Sequence, residues 1–228
     1  MSIPTNPETV IIKNIMYPDG LTEGDVWNYY MRYKGIILTN TRGRDLMVAI
    51  MVNVNRPILR RKASIDTPIR LTNSNYSTLL TGRTVSIYST IKAYEDFVVV
   101  DIDTEEWDKA INVTQVVYDI MRKANFVTSV KILYTGKNSF HLHCKISNKL
   151  PINTINSITK EHLRQNQNQT MFTLLHKRSP NLPNIDLSPN KYKGAFITEG
   201  SLSIWGLKCM EIPINQLKSF KMWKAKII

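Results

Sequence analysis

The segment Phe97-Val98-Val99-Val100-Asp101-Ile102-Asp103 is an apolar, β-branched run that ends in two acids. Residues of this kind favour a buried strand. In a strand, positions i and i+2 point to the same face, with Cα atoms about 6–7 Å apart. Asp101 and Asp103 are therefore aimed at one spot. Two carboxylates so placed repel each other unless a cation lies between them. Hard oxygen ligands suit Mg²⁺ or Mn²⁺. Phosphoryl transfer uses such a pair, with two ions clamping the attacking and leaving oxygens. An acid pair one residue apart also holds metal–nucleotide in glycosyltransferases, and acids after a strand can simply cap a helix or face water, so this motif alone leaves the chemistry open.

A second constellation follows at 134–144, Tyr134-Thr135-Gly136-Lys137-Asn138-Ser139-Phe140-His141-Leu142-His143-Cys144. A polar turn with Gly136 and Lys137 offers backbone N–H groups and a cation to phosphate oxygens. Ser139, His141 and His143 alternate along the next strand and share a face. A histidine there can donate to a triphosphate or to leaving pyrophosphate. Either histidine can equally be a satisfied structural residue. The pair could bind zinc, but the sequence offers no third soft ligand nearby.

Around these motifs the pattern alternates strands and helices. Thr22 with Asp25 three residues on predicts a capped helix through Tyr33 with an aromatic face. Residues 46–54, 58–65 and 85–93 predict strands. The first is bounded by Gly43 and Pro57, and the second carries the basic cluster Arg60-Arg61-Lys62. Residues 113–124 predict a helix, 129–134 and 139–146 strands, and 155–176 a helix that includes a Gln/Asn-rich patch. A proline-punctuated stretch surrounds Asn184-Ile185-Asp186. Residues 195–214 predict the last strands, and 216–226 a basic tail helix. There is no internal repeat and no long linker.

The 228 residues suit one large domain or two small lobes sharing a core. Thirty Lys and Arg against eighteen Asp and Glu leave a net charge of +12, an excess that attracts polyanions such as nucleic acid. Two cysteines, Cys144 and Cys209, cannot build a disulfide framework, and both are expected to be reduced and buried. No basic leader with an apolar run and no membrane-length apolar stretch is present, which predicts a soluble intracellular protein without a membrane partner.

In this order the motifs resemble those of the archaeo-eukaryotic primase superfamily, in particular the catalytic small subunit of archaeal primases and the polymerase domain of bacterial end-joining ligases. The strand ending in Asp101 and Asp103 is similar to the family's first motif, residues 134–144 to its second, and Asn184-Ile185-Asp186 to its third, whose aspartate completes the metal site. Gly200-Ser201-Leu202 and Gly206-Leu207-Lys208 resemble a strand pair downstream. Lys13-Asn14-Ile15-Met16-Tyr17-Pro18 resembles the opening of the ligase-associated polymerases.

The resemblance implies an α/β (α+β) primase–polymerase core spanning 1–228. It would be two-lobed (1–95 and 96–228), with a mixed sheet around the active site and no zinc-binding module. It implies a nucleotidyltransferase that moves nucleotides from NTP or dNTP to a 3′-hydroxyl on a single-stranded or primed DNA template, in primer synthesis or extension. Asp101, Asp103 and Asp186 would hold two Mg²⁺ or Mn²⁺ ions. Thr135, Lys137, Asn138, Ser139, His141 and Ser201 would bind the nucleotide, and Lys13, Arg60, Arg61 and Lys62 the nucleic acid. A replication or repair protein would be a further partner. The cytoplasm, the nucleoid or nucleus, or a viral or plasmid replication site would be the location.

The chain departs from the family pattern at several positions. Thr135 stands for the usual serine, and Asn138 and Ser139 for a basic residue and a glycine. Ser203 stands for Arg or His. Glu23 stands for a lysine that meets a gap's 5′-phosphate in the ligase-type polymerases. A catalytically silent nucleic-acid-binding relative is the alternative reading, with the glycosyltransferase behind it.

Overall fold

The expected buried strand is the centre of the larger of two sheets. A computed structural model describes residues 15–17, 19–53, 56–60, 68–166, 173–174 and 184–227. Five α-helices are described: α1 (Glu23–Arg32), α2 (Lys34–Asn40), α3 (Tyr76–Leu79), α4 (Trp107–Arg122) and α5 (Ile152–Asn166). The strands β1 (Leu46–Asn53), β2 (Arg56–Arg60), β3 (Thr84–Thr90) and β9 (Ala195–Ile197) form an antiparallel sheet in the order β2-β1-β3-β9. The second sheet contains β4 (Tyr94–Asp103), β5 (Val127–Gly136), β6 (Ser139–Pro151), β7 (Thr173–Leu174), β8 (Asn184–Asp186) and β10 (Met210–Glu211). Its order is β10-β5-β6-β4-β8-β7, antiparallel except for the β7–β8 pair. The architecture is thus mixed α+β, with a mixed sheet at its centre.

Helix α1 starts where its sequence says it should. Thr22 Oγ1 accepts from the Asp25 backbone N–H at 3.2 Å, and the Asp25 carboxylate accepts from the Thr22 N–H at 2.8 Å, a reciprocal capping box. Helix α4 begins at Trp107, earlier than the expected 113. Ala110, Ile111, Val113, Thr114, Val117 and Met121 are buried at helical spacing, and Asp108 and Arg122 sit at the ends the helix dipole favours.

The period-2 geometry of the central strands sorts the two faces of the large sheet. Val98, Val100 and Ile102 of β4 and Leu142 and Cys144 of β6 pack with Val113, Val117 and Met121 of α4 and Ile155 and Leu163 of α5. The opposite face carries Phe97, Asp101 and Asp103 together with Ser139, His141 and His143. Part of that face is covered by the smaller sheet: Phe196 of β9 meets Phe97 and His143, with ring centroids 5.6 and 5.1 Å apart.

Some expectations change. The helix expected over 155–176 ends at Asn166, and Thr173–Leu174 is a short strand instead. The tail is not one helix but two 3₁₀ turns, Ile214–Ser219 and Met222–Ala225, separated by Phe220 and Lys221. Leu217, Phe220 and Ala225 are all buried in one cluster with Ile132, Tyr134 and Phe140. The part of the expected second strand beyond Arg60 lies outside the described residues. Cys144 and Cys209 are free thiols, buried as expected. Among the described residues no helix is long and apolar enough to cross a membrane.

One buried ion pair ties the sheets together. Arg44, just before β1, donates to both carboxylate oxygens of Glu95 in β4 at 2.6 and 3.0 Å, and to the Thr90 carbonyl at 3.0 Å. Their side chains are 14% and 3% exposed, and the guanidinium also lies over the Phe97 ring at 4.8 Å. Removing one member strands a charge in the interior, which costs about 3–5 kcal/mol. Arg44→Met is therefore expected to lower unfolding stability by about that amount. Arg70→Met, which breaks the exposed Arg70–Asp45 pair, should cost about 0–1 kcal/mol. Urea titration of the two variants checks the contrast.

Candidate active site

Strand β4 lies between β6 and β8, and the register sets two rows of side chains across the three strands. Asp101 is opposite His141 on one side and Asp186 on the other. Asp103 is opposite Ser139 and Asn184. Directly opposed residues of an antiparallel pair share a face, with Cβ atoms about 4.5–5.5 Å apart. The rows are thus His141–Asp101–Asp186 and Ser139–Asp103–Asn184, all on the face turned away from α4 and α5.

Two features hold this register. The apolar even-numbered residues of β4 are fixed against the helices, and a one-residue slip would expose them all. Beyond the end of β8 the buried Asn190 takes over pairing with β4. Its Oδ1 accepts from Val99 N–H at 2.8 Å and its Nδ2 donates to the Val99 carbonyl at 2.5 Å. One amide side chain thus makes both hydrogen bonds that a neighbouring strand would make there.

Within the rows, His141 Nε2 is 3.3 Å from Asp101 Oδ1. That oxygen is buried and accepts no hydrogen bond from the described residues, and the same holds for Asn184 Oδ1. Buried acceptors without donors are costly, and a cation is one way to satisfy them. Asp186 is engaged by its own turn: its oxygens accept from Ser188 N–H at 2.7 Å and Ser188 Oγ at 2.6 Å. Among the described residues no three His, Cys, Asp or Glu side chains are drawn together as a ligand set. The backbone therefore aligns the donors without gathering them. The oxygen-rich rows fit a hard divalent cation. They fit zinc poorly, because Cys144 is on the helix-packed face and burial pushes both thiols well above their ordinary range.

The β5–β6 turn closes one end of the site. Gly136 has φ 115° and Lys137 φ 51°, both in the left-handed region. A Cβ on Gly136 would fall 2.6 Å from Ser203 Oγ, so glycine is required here by conformation and by space. Thr135 Oγ1 donates to Ser139 Oγ at 2.9 Å, and Asn138 Nδ2 donates to the Glu105 carbonyl at 2.7 Å. Lys137 is exposed, with its ammonium 5.0 Å from the centre of the Trp205 ring.

The expected site residues thus divide. Asp101, Asp103, Asp186, Ser139 and His141 share one face, with Thr135, Lys137 and Asn138 on the adjoining turn. Ser201 is elsewhere. It is fully buried, its Oγ accepting from Ile87 N–H at 2.7 Å and donating to the Leu202 carbonyl at 2.8 Å, so its hydroxyl straps the smaller sheet. Arg60 is exposed at the end of β2, the edge strand of that sheet. Lys13, Arg61 and Lys62 lie outside the described residues. Asn184 and Asn190 carry no local sequence signal of their place in the site, which only the pairing with β4 reveals.

The same face continues into a cavity of about 290 Å³ whose lining includes Arg44, Phe97, Lys131, His143, Lys145 and Phe196. Burial pushes the His143 pKa down to about 3, and the neighbouring His141, Lys131 and Arg44 act in the same direction.

The fold is shared with a polymerase domain of known structure. One solved structure with this fold is the polymerase domain from Mycobacterium tuberculosis Ligase D in complex with DNA. The two align with a TM-score of 0.73 over 92% of this chain and 89% of that one, at 12% sequence identity. No family model matches the sequence, and no curated protein does.

The low pKa of His143 has a consequence in acid. The unfolded chain binds a proton at this residue near pH 6.5, whereas the folded chain does so only near pH 3. Between those values the unfolded state holds more protons, so stability falls as pH drops through this window. His143→Gln is expected to flatten that limb of the stability–pH curve, measured by urea unfolding at pH 3.5 to 7.

Proposed function

We propose that the chain is a metal-dependent nucleotidyltransferase that adds nucleotides from NTP or dNTP to a 3′-hydroxyl on a nucleic-acid template. The observation that carries this reading is the row His141–Asp101–Asp186, in which the buried Asp101 Oδ1 accepts no hydrogen bond from the described residues. Asp101, Asp103 and Asp186 are the ion-holding acids in this reading. Two Mg²⁺ or Mn²⁺ ions, when bound, supply charge neutralisation and an activated nucleophile oxygen.

The chain's own residues bind and orient. Lys137 offers an exposed ammonium to phosphate oxygens at the mouth of the site. Thr135 donates to Ser139, which leaves the Ser139 proton available to a phosphate. His141 is held against Asp101 in the first row, where it can donate to a phosphate oxygen or accept the proton of an attacking hydroxyl. Asn138 is a positioning residue, because its amide is spent on the Glu105 carbonyl and holds the turn against the start of α4.

A single-stranded or primed DNA template is the partner in this reading, and replication or repair the setting. The net charge of +12 supports it, as does the presence of DNA in the similar Ligase D polymerase structure. The exposed Arg60, with Arg61, Lys62 and Lys13, would contact strand phosphates.

A second reading has an observation in its favour. The Asp186 carboxylate is turned onto Ser188, which suits a relative that binds nucleic acid without catalysis. The glycosyltransferase reading has nothing beyond the acid pair.

Primer extension on single-stranded, primed and gapped DNA separates these. With Mg²⁺ or Mn²⁺ the wild-type protein is expected to incorporate nucleotides, and Asp101→Ala/Asp103→Ala to lose incorporation by about a hundred-fold or more. DNA binding with no incorporation under any metal would favour the silent relative. Undiminished extension by the double variant would refute the assignment of the acids.

A further inference from the structure

Trp205 is 50% exposed and its neighbour Ile204 is 41% exposed, a large apolar surface left open to water beside the β5–β6 turn. An exposed indole is common enough by itself, but this one is held in place with care. Ser203 Oγ accepts from the N–H groups of Trp205 and Leu207 at 3.2 and 3.3 Å. Ser203 N–H donates to the Leu207 carbonyl at 2.7 Å, and Gly206 N–H donates to the Ser203 carbonyl at 3.0 Å. The five residues 203–207 therefore form a closed turn.

That turn is wedged on both sides. Ser203 fills the space that the missing Gly136 side chain leaves, and the Trp205 ring edge comes within 3.6 Å of the same position. Gly206, at φ 72°, lies so close to Leu21 and Tyr17 that a Cβ would fall 2.9 Å from Leu21 Cδ1. The indole is thus fixed to the turn that carries Lys137, whose ammonium sits 5.0 Å from the ring centre. A half-exposed aromatic paired with a cation suits a single strand: with the Lys137 ammonium over one face of the ring, a base would stack on the other and the cation would meet a phosphate.

We infer that Trp205 is a stacking platform for an unpaired base of a single nucleic-acid strand led to the acid-bearing face, with Lys137 contacting a phosphate of that strand. The inference rests on the nucleotidyl-transfer reading for the reason a strand comes to this face. A strand is favoured over a free nucleotide because the ring lies on the open rim of the site and the whole chain carries an excess of positive charge.

Tryptophan fluorescence titration with a short oligothymidylate tests this without any turnover. Binding is expected to quench the wild-type emission. Trp205→Ala should lose most of the quench and bind about ten-fold more weakly, and Trp205→Phe should stay within about three-fold of wild type. Wild-type affinity in Trp205→Ala overturns the inference. So does an equal loss in Trp205→Phe and Trp205→Ala, which would make the effect one of the turn and not of stacking. Quenching by dTTP with none by the oligonucleotide also overturns it, by assigning the ring to a free nucleotide.

The two readings fail separately. A protein that incorporates nothing but binds oligothymidylate through Trp205 keeps the platform and loses the polymerase. Incorporation with binding indifferent to Trp205 does the reverse.

Discussion

The antiparallel register of β4 between β6 and β8 is the constraint on which the candidate site depends. It places Asp101 between His141 and Asp186, three residues drawn from distant parts of the chain. Because side chains alternate along a strand, a slip of one residue would send the acids into the helix-packed layer and Val98, Val100 and Ile102 toward water. The apolar core under α4 and α5 therefore does more than stabilise the fold. It fixes which way the polar rows face.

The smaller sheet is joined to that framework by charge as well as by packing. Arg44 reaches from the start of β1 to Glu95 in β4 while its guanidinium covers Phe97, and Phe196 from β9 closes on the same ring. These contacts bring the two sheets together beside the acid rows, and the cavity lined by Phe97, His143 and Phe196 lies at that junction. At the other end of the rows, Gly136 lets the β5–β6 turn press against Ser203. The site is thus bounded by two places where parts far apart in sequence meet.

The acid-bearing strand, the turn at Gly136 and the capped start of α1 could all be read from sequence, because each is set by local chemistry: β-branched residues, a positive-φ glycine and a Thr–Asp capping box. The grouping of Asp186 with Asp101 came from motif order, and the strand register sets the two opposite each other. What could not be read depends on tertiary contact. Nothing local to Ser201 says that its hydroxyl is buried against Ile87, and nothing local to Asn190 says that it stands in for a strand beside Val99. Residues 216–226 read as one short basic helix. The chain instead makes two 3₁₀ turns broken by extended backbone at Phe220 and Lys221, with Leu217, Phe220 and Ala225 buried beside β5 and β6.

The central claim is that the aligned carboxylates hold divalent ions. Titration with Mn²⁺, followed by the electron paramagnetic resonance signal of the free ion in the presence of dNTP and primed DNA, tests it most directly. Saturable binding of up to two ions, lost in Asp101→Asn, is the predicted result. Absence of saturable binding by the wild-type protein, or unchanged binding by Asp101→Asn, would contradict it.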